Sequence, residues 1–402
     1  MEEVTGQVQY VAPPSGGVPR HTASPRLPAA APAASALRVV VAAHALRVVV
    51  AVSAAVAVAC SGCTWQSRDS ARPEAGLASG AGSSAGSASG VVPEIATRQQ
   101  FLMGAPFEMR VVATDRVAVA VAIDAAYTEL NRVEALISEW RPTSDASAIN
   151  RGAGGPPVRV GPEMFELVDR SVEFSRLSNG AFDITFAACG GLWSFKDQIV
   201  PTPEQVSACL PQVGWRQIEL DRQSSSVRLT SSGARIGLGG IGAGFGIDRA
   251  GAILEAAGFH DFFIDGGGDI LIRGRHIDRP WTVGIANPRD DDHLLGTVEL
   301  TDAAIATSGD YEKFFIRDGV RYHHILDPAT GMPATRSIQT TVIAPTCLQV
   351  DALSTALFVM GPEAGLTLAR QTPGIDALII SPDQVVHATE GFTARFRPEA
   401  TP

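Results

Sequence analysis

The stretch GLGGIG, Gly237 to Gly242, matches G-x-G-x-x-G letter for letter. It follows SVRLTSSGARI (226–236), which reads as a strand, and precedes FGIDRAGAILEAAG (245–258), which reads as a helix. Glycines between a strand and a helix raise the dinucleotide-binding Rossmann unit, where backbone N–H groups meet a pyrophosphate at a helix N-terminus. That unit normally opens its domain and carries an acidic residue about 20 positions on for the ribose. Asp261 and Asp265 lie 24 and 28 residues after Gly237, so the spacing is compatible. The position argues against it. The stretch sits far inside the chain, and the β-rich runs after it lack intervening helices. Backbone contact with phosphate is not confined to Rossmann folds. For Gly244 and Gly246 the alternative is simply tight packing of the turn.

Working outward, Phe107–Ala113 reads as a strand, Val117–Ser138 as an amphipathic helix and Glu163–Leu177 as a second helix. Short β-rich runs follow at Phe262–Ile264, Trp281–Ile285, Ala304–Ser308, Phe314–Ile316, Thr340–Ala344 and Ala377–Ile380. Several are separated only by turn-length gaps, which suits hairpins rather than βαβ crossovers. The expectation is an α+β fold: one large module of mixed, mostly antiparallel sheets flanked by helices.

The chain has 402 residues, 45 % of them hydrophobic, enough for a sizeable core. A net charge of −10 and a 6 % aromatic share argue against nucleic acid, which needs a basic footprint or stacking platforms.

The N-terminal 95 residues have a different character. Residues 1–36 are rich in Pro, Ala and Ser and read as a disordered lead. ALRVVVA occurs at 36–42 and again at 45–51, too short a unit for a solenoid repeat. After Arg47 the run VVVAVSAAVAVA ends at Cys60. Basic residues, a short apolar core and then small residues are the order of a secretory signal; a spanning helix is the alternative. Cys60 and Cys63, in CSGC, fit a lipoprotein-type signal better than a redox or zinc pair, because one C-x-x-C stands alone. GLASGAGSSAGSASG (76–90) is a flexible tether reaching roughly 20 Å. The expected organisation is 1–60 lead and anchor, 61–95 linker, and 96–399 folded module. That implies export to the cell envelope and a lipid anchor at the membrane, on its periplasmic or outer face. Cys189, Cys209 and Cys347 are isolated and odd in number, so no disulfide is expected and each reads as a small buried apolar residue.

Eight phrases then accumulate in order. They are MGAPFEMRV (103–111), SEWRPTSDASAIN (138–150), SNGAFDITFAACGGLWSF (178–195), RIGLGGIGAGFGIDRA (235–250), FFIDGGGDILIRG (262–274), ATSGDYEKFF (306–315), YHHILDPATGMPA (322–334) and VIAPTCLQVDALSTALFVMG (342–361). Together they resemble the ApbE family, the FAD:protein FMN transferases, over about 100–370. The resemblance implies a single ApbE-type, T-fold-like module that binds FAD with Mg²⁺. It implies splitting of FAD, release of AMP, and FMN left as a phosphoester on a Ser or Thr of an envelope acceptor protein. By motif, Met103 and Trp140 would flank the flavin, Ala181, Phe182 and Asp183 would contact FAD, and Leu326 would add a contact with His324 nearby. Each also has a plain reading: Met103, Phe182 and Leu326 as core, Asp183 as a turn cap, His323 and His324 as a satisfied strand pair.

VDALSTAL is the most informative phrase. Asp351, Ser354 and Thr355 fall at i, i+3 and i+4 and share one helical face. Three hard oxygens there suit Mg²⁺, and the resemblance adds the Gly240 carbonyl as a ligand. It also assigns Asp351 and Thr355 to the chemistry, with Asp351 easing deprotonation of the target hydroxyl. The plain alternative is Asp351 as the helix N-cap with Ser354 bonding back.

The sequence departs from the family pattern Asp-x-Gly-Gly-Ile-x-Lys-Gly: Gly237 stands at its Asp and Ala243 at its Lys. A lost ammonium that stabilised the transition state costs on the order of 10²–10³ in rate. Three readings follow: a slower enzyme, an enzyme with a replacement cation such as Lys313 or Arg249, or an FAD-binding lipoprotein that no longer transfers.

Overall fold

The computed structural model describes residues 92–399; the expectations for the lead, the signal, Cys60, Cys63 and the tether lie outside them. The chain opens with β1 (Glu94–Leu102), β2 (Ala105–Ala113), α1 (Arg116–Ile137) and α2 (Asp145–Arg151). Next come β3 (Val158–Arg159), α3 (Pro162–Leu177), α4 (Ala187–Gly190), α5 (Pro203–Cys209), β4 (Ile218–Asp221) and β5 (Ser226–Leu229). α6 (Gly242–Ala256) leads to β6 (Phe262–Gly266), β7 (Asp269–Arg273), β8 (Trp281–Asn287), β9 (Asp290–Leu300) and β10 (Ala303–Gly309). Then follow β11 (Phe314–Arg317), β12 (Val320–His323), β13 (Gln339–Ala344), α7 (Cys347–Met360) and α8 (Pro362–Gln371). The chain closes with β14 (Asp376–Ile380), β15 (Val386–Ala388), α9 (Glu390–Arg395) and β16 (Phe396–Pro398). Strand β1 starts at Glu94, within the last two residues of the stretch read as linker.

Eight strands form the central sheet in the order β1-β2-β6-β7-β10-β13-β14-β15, with every neighbouring pair antiparallel. The period of two sorts its side chains. Phe262, Ile264, Ala304, Ala306 and Val342 face one core, while Phe263, Ile305 and Ile343 face the other. Helices α1, α6 and α7 fill the first face, with α6 packed against both others. Trp281, Val283 and Ile285 of β8 and Val298 and Leu300 of β9 close the second, in a small sheet ordered β16-β9-β8. β13, covered on both sides, is buried at all six positions.

The α+β expectation holds, and the Rossmann alternative does not. Of SVRLTSSGARI only Ser226–Leu229 is strand, and it pairs antiparallel with β3 and β4 in a separate small sheet. Helix α6 leads instead to β6, antiparallel to both β2 and β7. No parallel βαβ unit surrounds GLGGIG. Asp261 meets the backbone N–H of Arg275 and Asp265 that of Gly268, both in local turns.

A second correction concerns the cysteines. Cys189, in α4, and Cys209, at the end of α5, form a disulfide with their Cα atoms 5.6 Å apart. Spacing alone did not reveal it, because the partners are 20 residues apart with no repeated pattern. Cys347 is free and buried, as expected.

Candidate functional site

Helix α7 is apolar almost all round and therefore buried. Its start is fixed by Thr346, which shares a capping box with Gln349, and by Asp248 of α6. The Asp248 carboxylate accepts from the N–H groups of Cys347 (2.8 Å) and Leu348 (2.9 Å). Asp351 is therefore not the N-cap of its own helix. It lies one turn in and serves the neighbouring helix: its Oδ2 accepts the Gly244 N–H at 2.9 Å. That donor is one of the orphan N–H groups at the start of α6, whose N-cap position, Ile241, offers no side-chain acceptor.

Gly244 has to be glycine for this contact. A Cβ there would run into the Cys347 carbonyl and lie 2.9 Å from the Asp351 Cβ. Gly246 is similarly close-packed, with Leu130 of α1 and Met103 just over 3 Å from a Cβ position. Tight packing accounts for both residues, and at Gly244 it also delivers a hydrogen bond.

Burial pushes the Asp351 carboxyl up to about 7; the nearby Asp248 adds to the rise and the Gly244 N–H opposes it. Asp269, at the start of β7, is pushed up strongly by burial and then by the charges of Asp351 and Asp265. The charged groups bearing on Asp269 are thus all acidic. Such a cluster is stabilised by protons or by a cation.

The Gly240 backbone lies beside this helix: a Cβ there would be 3.8 Å from Thr355 Oγ1 and 3.4 Å from the Phe182 ring. Gly240, Thr355, Asp351 and Phe182 thus come together. Ser354 is turned toward β10, where its Oγ accepts from Ser308 Oγ at 2.9 Å and donates to the Asp351 carbonyl at 3.1 Å. The bonding-back expected of it is present. Asp183 is occupied as a turn cap, accepting from Thr185 N (2.8 Å), Thr185 Oγ1 (2.6 Å) and Trp215 N (2.7 Å).

Met103 occupies the tip of the β1–β2 hairpin at φ 49°, followed by Gly104 at φ 79°. Both residues are left-handed, as a type I′ turn requires. Trp140, in the turn after α1, is 85 % exposed. Ala181 packs beside Ile325, Ala334, Phe358 and Val359, and Leu326 bridges to Pro333 in the same region. His323 Nε2 meets the Ala334 carbonyl at 2.9 Å. Burial drives His324 down to about 4, with Lys313 acting in the same direction, so His324 is neutral at pH 7. Lys313 is one of only two lysines in the chain. Arg249, the other candidate replacement cation, is committed to Glu129 and Glu163 on α1 and α3.

Among the described residues no group of three or more His, Cys, Asp or Glu side chains is placed to hold a metal ion. The donor set expected here is of another kind, one carboxylate with hydroxyls and a backbone carbonyl. Its chemistry suits a hard divalent cation, because the carboxylate is buried among acids and Thr355 follows one turn on along the same helical face, next to the Gly240 backbone.

The sequence pattern of the ApbE family matches residues 103–379, and the chain belongs to that family. A Treponema pallidum relative, named an FAD:protein FMN transferase, is 35 % identical over 320 residues, 75 % of this chain and 88 % of that protein. A Vibrio cholerae relative of the same name is 32 % identical, covering 60 % of this chain and 74 % of its own length. Among solved structures, the ApbE protein from Thermotoga maritima superposes with a TM-score of 0.69 at 32 % identity, over 76 % of this chain and all of that one. The flavin transferase ApbE from Vibrio cholerae gives 0.67 at 28 % identity, over 75 % and 99 %.

Sequence reasoning missed Asp248, Asp269 and the disulfide. Asp269 lay in the quoted phrase FFIDGGGDILIRG, but nothing in its spacing to Asp351 in the chain signals their proximity. The packing of α7 on β7 brings them together.

Proposed function

We propose that this chain is a flavin transferase that moves FMN from FAD to a Ser or Thr hydroxyl of an acceptor protein. The observation that carries the reading is the junction of the glycine loop with α7: Gly244 N–H on Asp351 Oδ2, with Gly240 beside Thr355 Oγ1. The names of the relatives support it. In the reaction the acceptor hydroxyl oxygen bonds to the flavin-side phosphorus, and the pyrophosphate P–O bond to the adenosine side breaks. AMP leaves, and the hydroxyl proton passes to a base.

Asp351, Thr355 and the Gly240 carbonyl would hold Mg²⁺, with Ser354 behind them buttressed by Ser308. When bound, the ion would neutralise charge on the phosphoryl oxygens and orient the displacement. Asp351 Oδ2 is fixed by Gly244, which orients the carboxylate at the loop, where it would also ease deprotonation of the acceptor hydroxyl. The glycine loop supplies backbone at close range without side-chain bulk. Phe182 lies against the Gly240 backbone, and Met103, Trp140, Ala181, Asp183 and Leu326 would contact the flavin nucleotide.

The disulfide supports export, since such bonds persist in oxidising compartments. It agrees with a lipidated Cys60 or Cys63 in the cell envelope, which mass spectrometry of the mature N-terminus would test. Among the described residues no helix is long and apolar enough to cross a membrane.

A second reading, a transfer-deficient FAD-binding lipoprotein, is favoured by one observation: Gly237 and Ala243 carry neither charge of the family loop. Calorimetry with FAD and Mg²⁺, alongside an AMP-release assay with an acceptor, separates the two. Binding with release supports the transferase, and binding alone supports the second reading. No FAD binding removes both.

A further inference from the structure

A Cβ on Gly237 would lie 3.0 Å from Glu139 Oε1 and 2.9 Å from Ala187 Cβ. The position that carries Asp in the family pattern is glycine here, and a carboxylate from another segment already fills the adjoining space. That carboxylate is delivered by a fixed turn. Ser147 Oγ donates to the Glu139 carbonyl at 3.0 Å, and Ser144, the N-cap of α2, donates to the carbonyl of Ser138.

Glu139 differs from the other carboxylates around the loop. Asp351, Asp248 and Asp183 all accept from backbone N–H groups. The Glu139 carboxylate meets no hydrogen-bond donor among the described residues. Burial raises its pKa, opposed only by the charge of Arg235 two residues before Gly237. Beside it the loop is open, since a Cβ on Gly239 would meet nothing within 4 Å. The next residue, Trp140, presents a largely exposed indole. Half-buried, without a protein donor and beside open loop backbone, this carboxylate is free to accept from a ligand that brings hydroxyl groups.

We propose that Glu139 stands in for the loop carboxylate missing at Gly237 and accepts hydrogen bonds from sugar hydroxyls, ribityl or ribose, of the bound dinucleotide. Arg235 is its charge partner. The proposal rests on the flavin reading above and extends it to a residue outside the family's loop pattern.

The test is a fluorescence titration of the full chain with FAD and Mg²⁺, using FMN and AMP as separate probes. Wild-type binding is the reference; if the wild type does not bind FAD, the flavin reading itself fails. Glu139→Ala is expected to weaken FAD binding roughly tenfold or more, the scale of a hydrogen bond to a charged group. KM should rise while kcat and the melting temperature stay near wild type. Loss toward FMN assigns the ribityl hydroxyls, and loss toward AMP the ribose. Wild-type affinity in a folded Glu139→Ala overturns the proposal. The swap sharpens it. In an Ala187→Gly background, which clears the second obstruction, Gly237→Asp should weaken binding when Glu139 is present and restore it when Glu139 is Ala. Purely additive effects in folded variants overturn the stand-in role.

Discussion

The two sides of the candidate site have been treated differently. On the α7 side the three expected side-chain donors, Asp351, Ser354 and Thr355, are all there, and each is tied into the packing. On the loop side the backbone glycines persist while both charged side chains are absent, at Gly237 and Ala243. Asp351 and Gly244 are locked together because each satisfies a group the other helix leaves open. A loop-rim charge has no such structural duty, so another segment can supply it. What holds two helices together is hard to replace; what merely faces the ligand can move.

The largest effect expected is at that junction. Asp351→Ala removes a proposed metal ligand and uncaps Gly244, so transfer should fall below detection while FAD binding weakens. An Asp351→Ala variant that transfers at a wild-type rate would break the contrast between the two sides. Next comes the disulfide, which clamps the segment whose Ala187 touches the loop. Closing a loop of this size contributes about 3 kcal/mol in the chain-entropy picture. Reduction, or Cys189→Ser with Cys209→Ser, should lower the melting temperature accordingly; an unchanged melting curve would show the bond to be dispensable. Gly244→Ala should cost about 1–3 kcal/mol by forcing α6 and α7 apart, read by chemical denaturation.

A separate effect is the pH dependence of the metal-free protein. The Asp351 carboxyl is raised from 3.8 to about 7 by folding, so the native state holds a proton that the unfolded chain releases. That contribution is fully present below pH 3.8 and is lost as pH rises through about 7. Melting temperature should therefore fall across this window, less so in Asp351→Asn, and added Mg²⁺ should offset the fall at its upper end. A rise in stability specific to Asp351 would reverse the sign and contradict its burial.

Much of this was legible in the sequence, for identifiable reasons. Hairpin spacing exposed the antiparallel strands, because short β-rich runs with turn-length gaps leave no room for crossovers. The i, i+3, i+4 spacing of Asp351, Ser354 and Thr355 put them on one helical face. Other features depend on tertiary placement. Asp351 caps a helix 107 residues away in the chain, and no local signal distinguishes that from capping its own. Ser354 shares the face, yet the nearness of β10 turns its hydroxyl toward Ser308. The Cys189–Cys209 bond and the approach of Glu139 to Gly237 are likewise made only when distant segments meet.

The central claim is that the site still transfers despite the loop's missing charges, because the α7 donors and the loop backbone carry the phosphoryl chemistry. The direct measurement is in-gel flavin fluorescence of a co-expressed acceptor, comparing wild type with Ala243→Lys. Wild type should label the acceptor, and Ala243→Lys should label it equally or more strongly. An unlabelled acceptor with wild type, together with labelling by Ala243→Lys, would contradict the claim and leave a chain that binds flavin without transferring it.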